Sequence, residues 1–365
     1  MFVQIPVTAI LLAFGLSLLV TPLVKKWAFK CGALDRPDQR KVHKRVMPRL
    51  GGLAIYLSFL VTVTLTCDIT RQIAGLLLGG SLIILLGFLD DTRGLSPRLK
   101  LAGQVVAVLA MIPFNLQVQF LTNPFSDDPI TLGLLLSIPV TVLWIVSVTN
   151  AVNLIDGLDG LAGGTTFISA LTLAGVVWIE ASKWGGSQGQ WDAIILAMIL
   201  ASAVIGFLRY NFYPAKIFLG DSGSMYLGFS LASLSVMGLA KSATFISVII
   251  PVVILGIPLL DTTFAIVRRY YGHRPIFQAD REHLHHRLLK LGLSHRQAVL
   301  SIYGVNVVLG LSAIALTLIS QRQAAIFLVI LSTAILILAN KIGVTRTERK
   351  AAYLPQPNKQ RGPSA

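Results

Sequence analysis

Eleven runs of mostly apolar residues divide the chain, near 2–24, 50–67, 73–89, 101–121, 131–148, 161–179, 192–208, 222–240, 242–267, 298–320 and 323–340. An α-helix needs ~20 such residues to cross the hydrocarbon core of a bilayer. In lipid, every backbone N–H and C=O must be satisfied within the segment, so runs of this kind read as helices. The expected fold class is therefore all-α: a polytopic integral membrane protein with about 11 transmembrane helices. The second and third runs are short, and Pro113 and Asn115 interrupt the fourth, so ten or twelve spans stay open. Charged residues are only 13% of the 365, against 54% hydrophobic. A soluble domain carries about a quarter charged residues, which excludes a cytosolic enzyme, a secreted domain and a disordered chain.

Orientation follows from charge. No basic residue precedes the first run, Lys25 and Lys26 follow it, and no small-residue cleavage site is evident. It reads as a retained span with its N-terminus outside. The inside segments are then 25–49, 90–100, 149–160, 209–221, 268–297 and 341–365, and they hold 27 of the 31 Lys and Arg. Only Arg71, Lys183, Lys241 and Arg322 fall outside. That asymmetry obeys the positive-inside rule and puts the C-terminus in the cytosol. The net charge of +15 is thus directed at anionic lipid rather than nucleic acid. Residues 344–365 read as a disordered basic cytosolic tail. Cys31 and Cys67 set no disulfide framework.

The carboxylates carry the chemical information. Asp90, Asp91, Asp156, Asp159, Asp221 and Asp261 all fall at or near the inner ends of spans. Asp221 in GDSGS could be a plain N-cap, and Asp156 and Asp159 in NLIDGLDG could be first-turn carboxylates favoured by the helix dipole. Asp90 and Asp91 resist such a reading. They close a span at the negative end of its dipole and repel each other, which calls for a divalent metal or for Arg93, Arg98 and Lys100. Asp156 and Asp159 are three apart, which places them on one face of a helix. Asn150 and Asn153 add amides at the same interval. Glycines with acids and amides, and no Lys or Arg, suit a metal-bound or sugar-bearing ligand. In REHLHHRLLKLG, a helix over 281–291 would put His283 and His286 on a face with Arg287 and Lys290, a basic surface for a diphosphate. Its alternative is an interfacial helix on anionic lipid. The chain has no GxxxxGK[ST] loop, no GxGxxG after a strand and no CxxC pair, so no familiar ATP or redox site.

Five stretches, PRLGG at 48–52, FLDDTRGLSPRLKLAGQ at 88–104, NAVNLIDGLDGLAGG at 150–164, NFYPAKIFLGDSGS at 211–224 and REHLHHR at 281–287, resemble in order the polyprenyl-phosphate N-acetylhexosamine-1-phosphate transferases, glycosyltransferase family 4. The His-x-His-His spacing of His283, His285 and His286 resembles the N-acetylglucosamine branch rather than the phospho-N-acetylmuramoyl-pentapeptide branch. The resemblance implies a transmembrane catalytic domain over 1–343 in a bacterial plasma membrane, its loops facing the cytoplasm. It implies transfer of N-acetylglucosamine 1-phosphate from UDP-N-acetylglucosamine to undecaprenyl phosphate, with Mg²⁺, or Mn²⁺ in its place, as cofactor. It implies catalytic roles for Asp90, Asp91, Asp156 and Asp159, and metal ligation by Asp221 with Asn153 and Asp91. Asn150, Asn211, Phe218, His283, His285, His286 and Arg287 would hold the nucleotide sugar, and Lys100 and Gln104 the lipid phosphate. A homodimer is compatible with this. The rival from another class, a secondary transporter, would place binding groups near the bilayer midplane, where only Asp261 enters. Direct attack by the lipid phosphate is favoured over an aspartyl-phosphate on Asp91 or Asp156.

Overall fold

The long apolar runs are helices, and their ends are set by ordinary local chemistry. The computed structural model describes residues 6–36, 46–121, 130–239, 245–271 and 283–342. The order is α1 (Val7–Cys31), β1 (Leu34–Asp35), β2 (Met47–Pro48), α2 (Gly51–Thr66), α3 (Arg71–Arg93), α4 (Pro97–Leu109), a 3₁₀ turn (Ile112–Phe114), β3 (Phe120–Leu121) and β4 (Ile130–Thr131). Then come α5 (Leu134–Ile155), α6 (Leu161–Trp184), α7 (Gln188–Asn211), α8 (Gly220–Leu239), α9 (Phe245–Ile254), α10 (Gly256–Tyr271), α11 (Leu284–Lys290), α12 (His295–Leu318) and α13 (Gln321–Ile342). Thr70 and Ser96 cap α3 and α4 by accepting from Ile73 N and Leu99 N, and Ser187 and Ser294 open capping boxes.

Eight segments among the described residues are long and apolar enough to cross a bilayer, and the protein is a mostly helical, polytopic membrane protein. Three of the expected runs fall short of that mark for visible reasons. α2 has 16 residues. α8 is rich in Gly and Ser, which lowers its hydropathy. The run at 242–267 is broken at Leu255, between Pro251 and Pro258, into α9 and α10. The run at 101–121 also ends early: α4 stops at Leu109, and Pro113 and Asn115, at φ 60°, turn the chain. Two short antiparallel ribbons, β1 with β2 and β3 with β4, qualify the all-α expectation.

The hub is α8. From Ser222 to Leu239 every residue is buried, enclosed by α2, α3, α5, α6 and α7. Its small residues permit this, because helices in lipid associate through close backbone packing rather than hydrophobic drive. A Cβ on Gly52 would lie 2.0 Å from Gly223 Cα, and one on Gly87 would lie 2.2 Å from Ser222 Cα. The N-terminus of α8 is thereby held against both α2 and the acidic end of α3. At the periphery, α13 buries only Ala324 and Ala339, as a helix facing lipid would.

Candidate active site

Four of the five sequence stretches meet around the first turn of α8, and backbone pairing explains how. Phe218 N donates to Pro48 O, Gly51 N to Phe218 O and Gly52 N to Leu219 O, at 2.8–2.9 Å. The PRLGG and KIFLGD segments are stitched as neighbouring strands would be. Gly220 lies between them at φ 77°, and a Cβ there would meet Arg49 O at 2.4 Å and Asp91 Oδ2 at 2.7 Å. Only glycine fits.

The adjacent acids of α3 have separate partners. Asp91 is 2% exposed and caps α8 from another helix. Its Oδ1 accepts from Asp221 N at 3.0 Å, and its Oδ2 from Ser222 N at 3.0 Å and Ser222 Oγ at 2.7 Å. Arg49 adds its charge at 3.6 Å and donates through Nη2 to Asp91 O at 2.7 Å. The positive end of α8 and Arg49 thus supply the compensation that the repulsive end of α3 requires. Asp90 accepts from Leu95 N at 2.7 Å and pairs with Lys100. Lys100 also reaches Asp221 Oδ1 at 3.3 Å, where Asn153 Nδ2 donates at 2.8 Å as well as to Ser224 Oγ at 2.7 Å.

A cleft of about 760 Å³ opens here, lined by Asp35, Asp91, Asp156, Asp159 and Asp221, with Arg49, Asn153, Asn211, Phe218, His286 and His295 among the other walls. Asp159 Oδ2 accepts from Ala215 N at 2.9 Å. The Asp156 carboxylate receives no hydrogen bond from any described residue. Burial, then the charges of Asp221, Asp91 and Asp159, push it up to about 8. Its side chain keeps partial exposure to the cleft, so solvent moderates that repulsion.

Several expected site residues are engaged elsewhere. Gln104 and Asn150 pair their amides, Nδ2 of Asn150 donating to Oε1 of Gln104 at 2.7 Å, and neither lines the cleft. They join α4 to α5. Asn211 borders the cleft with both ends of its amide on backbone, accepting from Gly160 N at 3.1 Å and donating to Ile217 O at 3.0 Å. His283 precedes α11 rather than lying in it, and its Nδ1 sits 2.9 Å from Asp261 Oδ2. Asp261 Oδ1 accepts from Leu284 N at 2.8 Å, so the acid expected to sit alone in a span caps α11. The helix expected over 281–291 is Leu284–Lys290, with residues 281 and 282 outside the described set, so the shared face of His283 and His286 does not form. His285 lies against Gly157, where a Cβ would come 2.2 Å from Nε2. Burial, followed by the neighbouring His286, lowers it to about 3, which keeps it neutral. Arg287 is buried and lies outside the cleft lining, whereas His286 is within it.

Arg49, Tyr213 and His295 also line the cleft, where the sequence pattern assigns them no role. Arg49 is the one cation of PRLGG. His295 stacks on Tyr213 with ring centroids 4.5 Å apart at the cleft edge, a pairing across 82 residues that no local pattern signals.

The sequence profile of glycosyl transferase family 4 matches residues 73–239, which span α3 to α8. A probable undecaprenyl-phosphate N-acetylglucosaminyl 1-phosphate transferase of Bacillus subtilis is 42% identical over 338 residues, 91% of this chain and 90% of the relative. The chain belongs to glycosyl transferase family 4. A decaprenyl-phosphate N-acetylglucosaminephosphotransferase of Mycobacterium tuberculosis is 35% identical, covering 77% of this chain and 74% of its own. A phospho-N-acetylmuramoyl-pentapeptide-transferase of a Geobacillus species is 31% identical, over 86% of this chain and 98% of its own. The acids of α3 and α8 and of the 156–160 loop all lie within the matched stretch.

Proposed function

We propose that the chain transfers N-acetylglucosamine 1-phosphate from UDP-N-acetylglucosamine to undecaprenyl phosphate, releasing UMP. The similarity to the Bacillus and Mycobacterium transferases supports the donor and the lipid class. The observation that carries the reading is the Asp156 carboxylate, which accepts no hydrogen bond from any described residue and which burial, then the charges of Asp221, Asp91 and Asp159, make hold its proton more tightly. A site of that kind is built for a cation and a polyanionic ligand together.

Mg²⁺ fits this donor set, and Mn²⁺ could take its place. Among the described residues no three His, Cys, Asp or Glu side chains converge into a self-sufficient metal site. Mg²⁺ asks for only one or two carboxylates, completing its shell with phosphate oxygens and water. Asp221 and Asp156 would hold it, with the Asn153 amide oxygen, which accepts from no described residue, as a third partner. Bound there, it would neutralise the diphosphate and so supply the electrostatic part of phosphoryl transfer.

The protein's own groups do the positioning. Asp91 and Arg49 hold the first turn of α8, so Asp221 is fixed before substrate arrives. Lys100, held between Asp90 and Asp221, places a cation beside Asp221 for an incoming lipid phosphate. Phe218 lines the cleft and is the aromatic side chain we assign to uracil. The acceptor phosphate has a second pKa of ~6, so it is largely dianionic near neutrality and needs little base catalysis. Each Asp91 oxygen accepts from the α8 terminus, which makes it a poor nucleophile and favours direct attack. In this reading there are eleven spans, the N-terminus is outside, and the cleft faces the cytoplasm of a bacterial cell.

The test is incubation of purified protein and undecaprenyl phosphate with UDP-N-acetylglucosamine or UDP-N-acetylmuramoyl-pentapeptide, followed by analysis of UMP and lipid. The first donor should yield both products only when Mg²⁺ is present. Transfer from the second donor alone would overturn the assignment.

A further inference from the structure

A second cavity, of about 670 Å³, opens at the cleft end of the bundle between α1, α6, α7 and α12. Its walls are apolar, among them Phe14, Phe167, Ile205 and Phe212, and its one charged lining residue is Arg209. Ile205 and Phe14 are each 39% exposed, so the groove is open along its length to the surrounding lipid. Arg209 is exposed in the last turn of α7 and has no ion-pair partner among the described residues. A water-soluble ligand gains nothing from such walls. A hydrocarbon chain carrying an anionic head on the Arg209 side gains from both features.

The inner wall of the groove is also the outer support of the catalytic loop. Tyr303, which lines the groove, donates its hydroxyl to Gly160 O at 2.6 Å. It can do so because residue 164 is glycine, where a Cβ would come 1.9 Å from that hydroxyl. Phe212 packs over Gly160, which turns the chain at φ 80° directly after Asp159. The groove and the cleft have no lining residue in common, so the groove is a site apart from the walls around Asp221.

We propose that this groove binds an anionic phospholipid of the surrounding leaflet, with its phosphate on Arg209 and an acyl chain along Phe14, Phe167 and Ile205. Through Phe212 and Tyr303 the seated chain braces the loop that carries Asp156 and Asp159.

Native mass spectrometry of the detergent-purified full chain tests this, using phosphatidylglycerol and phosphatidylcholine with identical acyl chains. One phosphatidylglycerol should be retained in preference to phosphatidylcholine. Arg209→Gln should lower its affinity roughly fivefold, the effect of one interfacial cation, and leave phosphatidylcholine unchanged. Ile205→Trp, which fills the groove, should weaken both, with its thermal midpoint confirming the fold. Phe14→Trp serves if Ile205→Trp does not fold. Hydrogen exchange across 156–160 should slow on adding phosphatidylglycerol to wild type but not to the filled variant. Equal retention of the two lipids with no effect of Arg209→Gln would leave only annular lipid and overturn the site. Displacement of phosphatidylglycerol by equimolar undecaprenyl phosphate would show an acceptor channel instead. Unchanged exchange at 156–160 would overturn the bracing. No readout depends on the transfer reaction.

Discussion

Two aspartates in one cleft have opposite duties, and substitution separates them. Asp91 accepts three hydrogen bonds from the start of α8. In Asp91→Asn, an amide NH₂ would face backbone donors, at a cost of about 1–3 kcal/mol. A lower unfolding midpoint together with lost activity is the expected pair of results. Asp156 is destabilising on its own, since its carboxyl is buried and lies near three other acids. Asp156→Asn should raise the midpoint of the cation-free protein while lowering turnover roughly 10²–10³-fold, the usual scale for one preorganised electrostatic group. The sign of the pH effect follows. With its pKa raised from 3.8 to about 8, folded Asp156 keeps a proton that the unfolded chain has lost, so stability falls as pH rises through that window. In the proposed site a divalent cation would compete with that proton. Thermal shifts measured with and without Mg²⁺ should therefore show more Mg²⁺ stabilisation at pH 8 than at pH 6, and the difference should shrink in Asp156→Asn.

Among the elements, α8 sets the geometry because its neighbours approach to backbone contact. Gly87→Ala would drive a methyl to 2.2 Å from Ser222 Cα, forcing α3 from α8 and drawing Asp91 off its cap. Overpacking of this kind costs about 1–3 kcal/mol, and activity should fall at least tenfold in a UMP-release assay. Gly304→Ala, with open space around its Cβ, should be neutral in both. The same elements show where sequence periodicity stops being informative. The run at 242–267 reads as one span, yet Pro251, Gly256 and Pro258 divide it. The resulting α10 carries Asp261 to the cap of α11, where it engages His283. A histidine motif read along one ideal helix could not show that its first member lies outside the helix.

For the whole molecule, the charge asymmetry makes an orientation prediction. A single cysteine replacing exposed Lys290 should resist an impermeant thiol reagent added to intact cells and react in inverted vesicles, with Cys31 and Cys67 removed. Labelling from outside would reverse the topology. Such features are legible in sequence because they depend on sums along the chain. Hydropathy over ~20 residues determines what enters lipid, and loop charge determines which side each end meets. The grouping of acids at one end of the bundle follows from those two alone. Partner choice does not follow from them, since it depends on distances between residues remote in sequence. Nothing in the order DDTRGLSPRLK indicates that Asp91 takes the amide protons of residues 221 and 222, or that Lys100 bridges Asp90 and Asp221. Gln104 and Asn150 look like ligand-binding amides until α4 and α5 bring them together. Asn211 looks like a contact for the base until Gly160 and Ile217 are seen to occupy both ends of its amide. Composition and spacing determined a polytopic membrane chain with its acids gathered at the ends of spans. Only close packing around α8 decided which acid is a cap and which is left open to a cation, because that depends on which donors reach each carboxylate first.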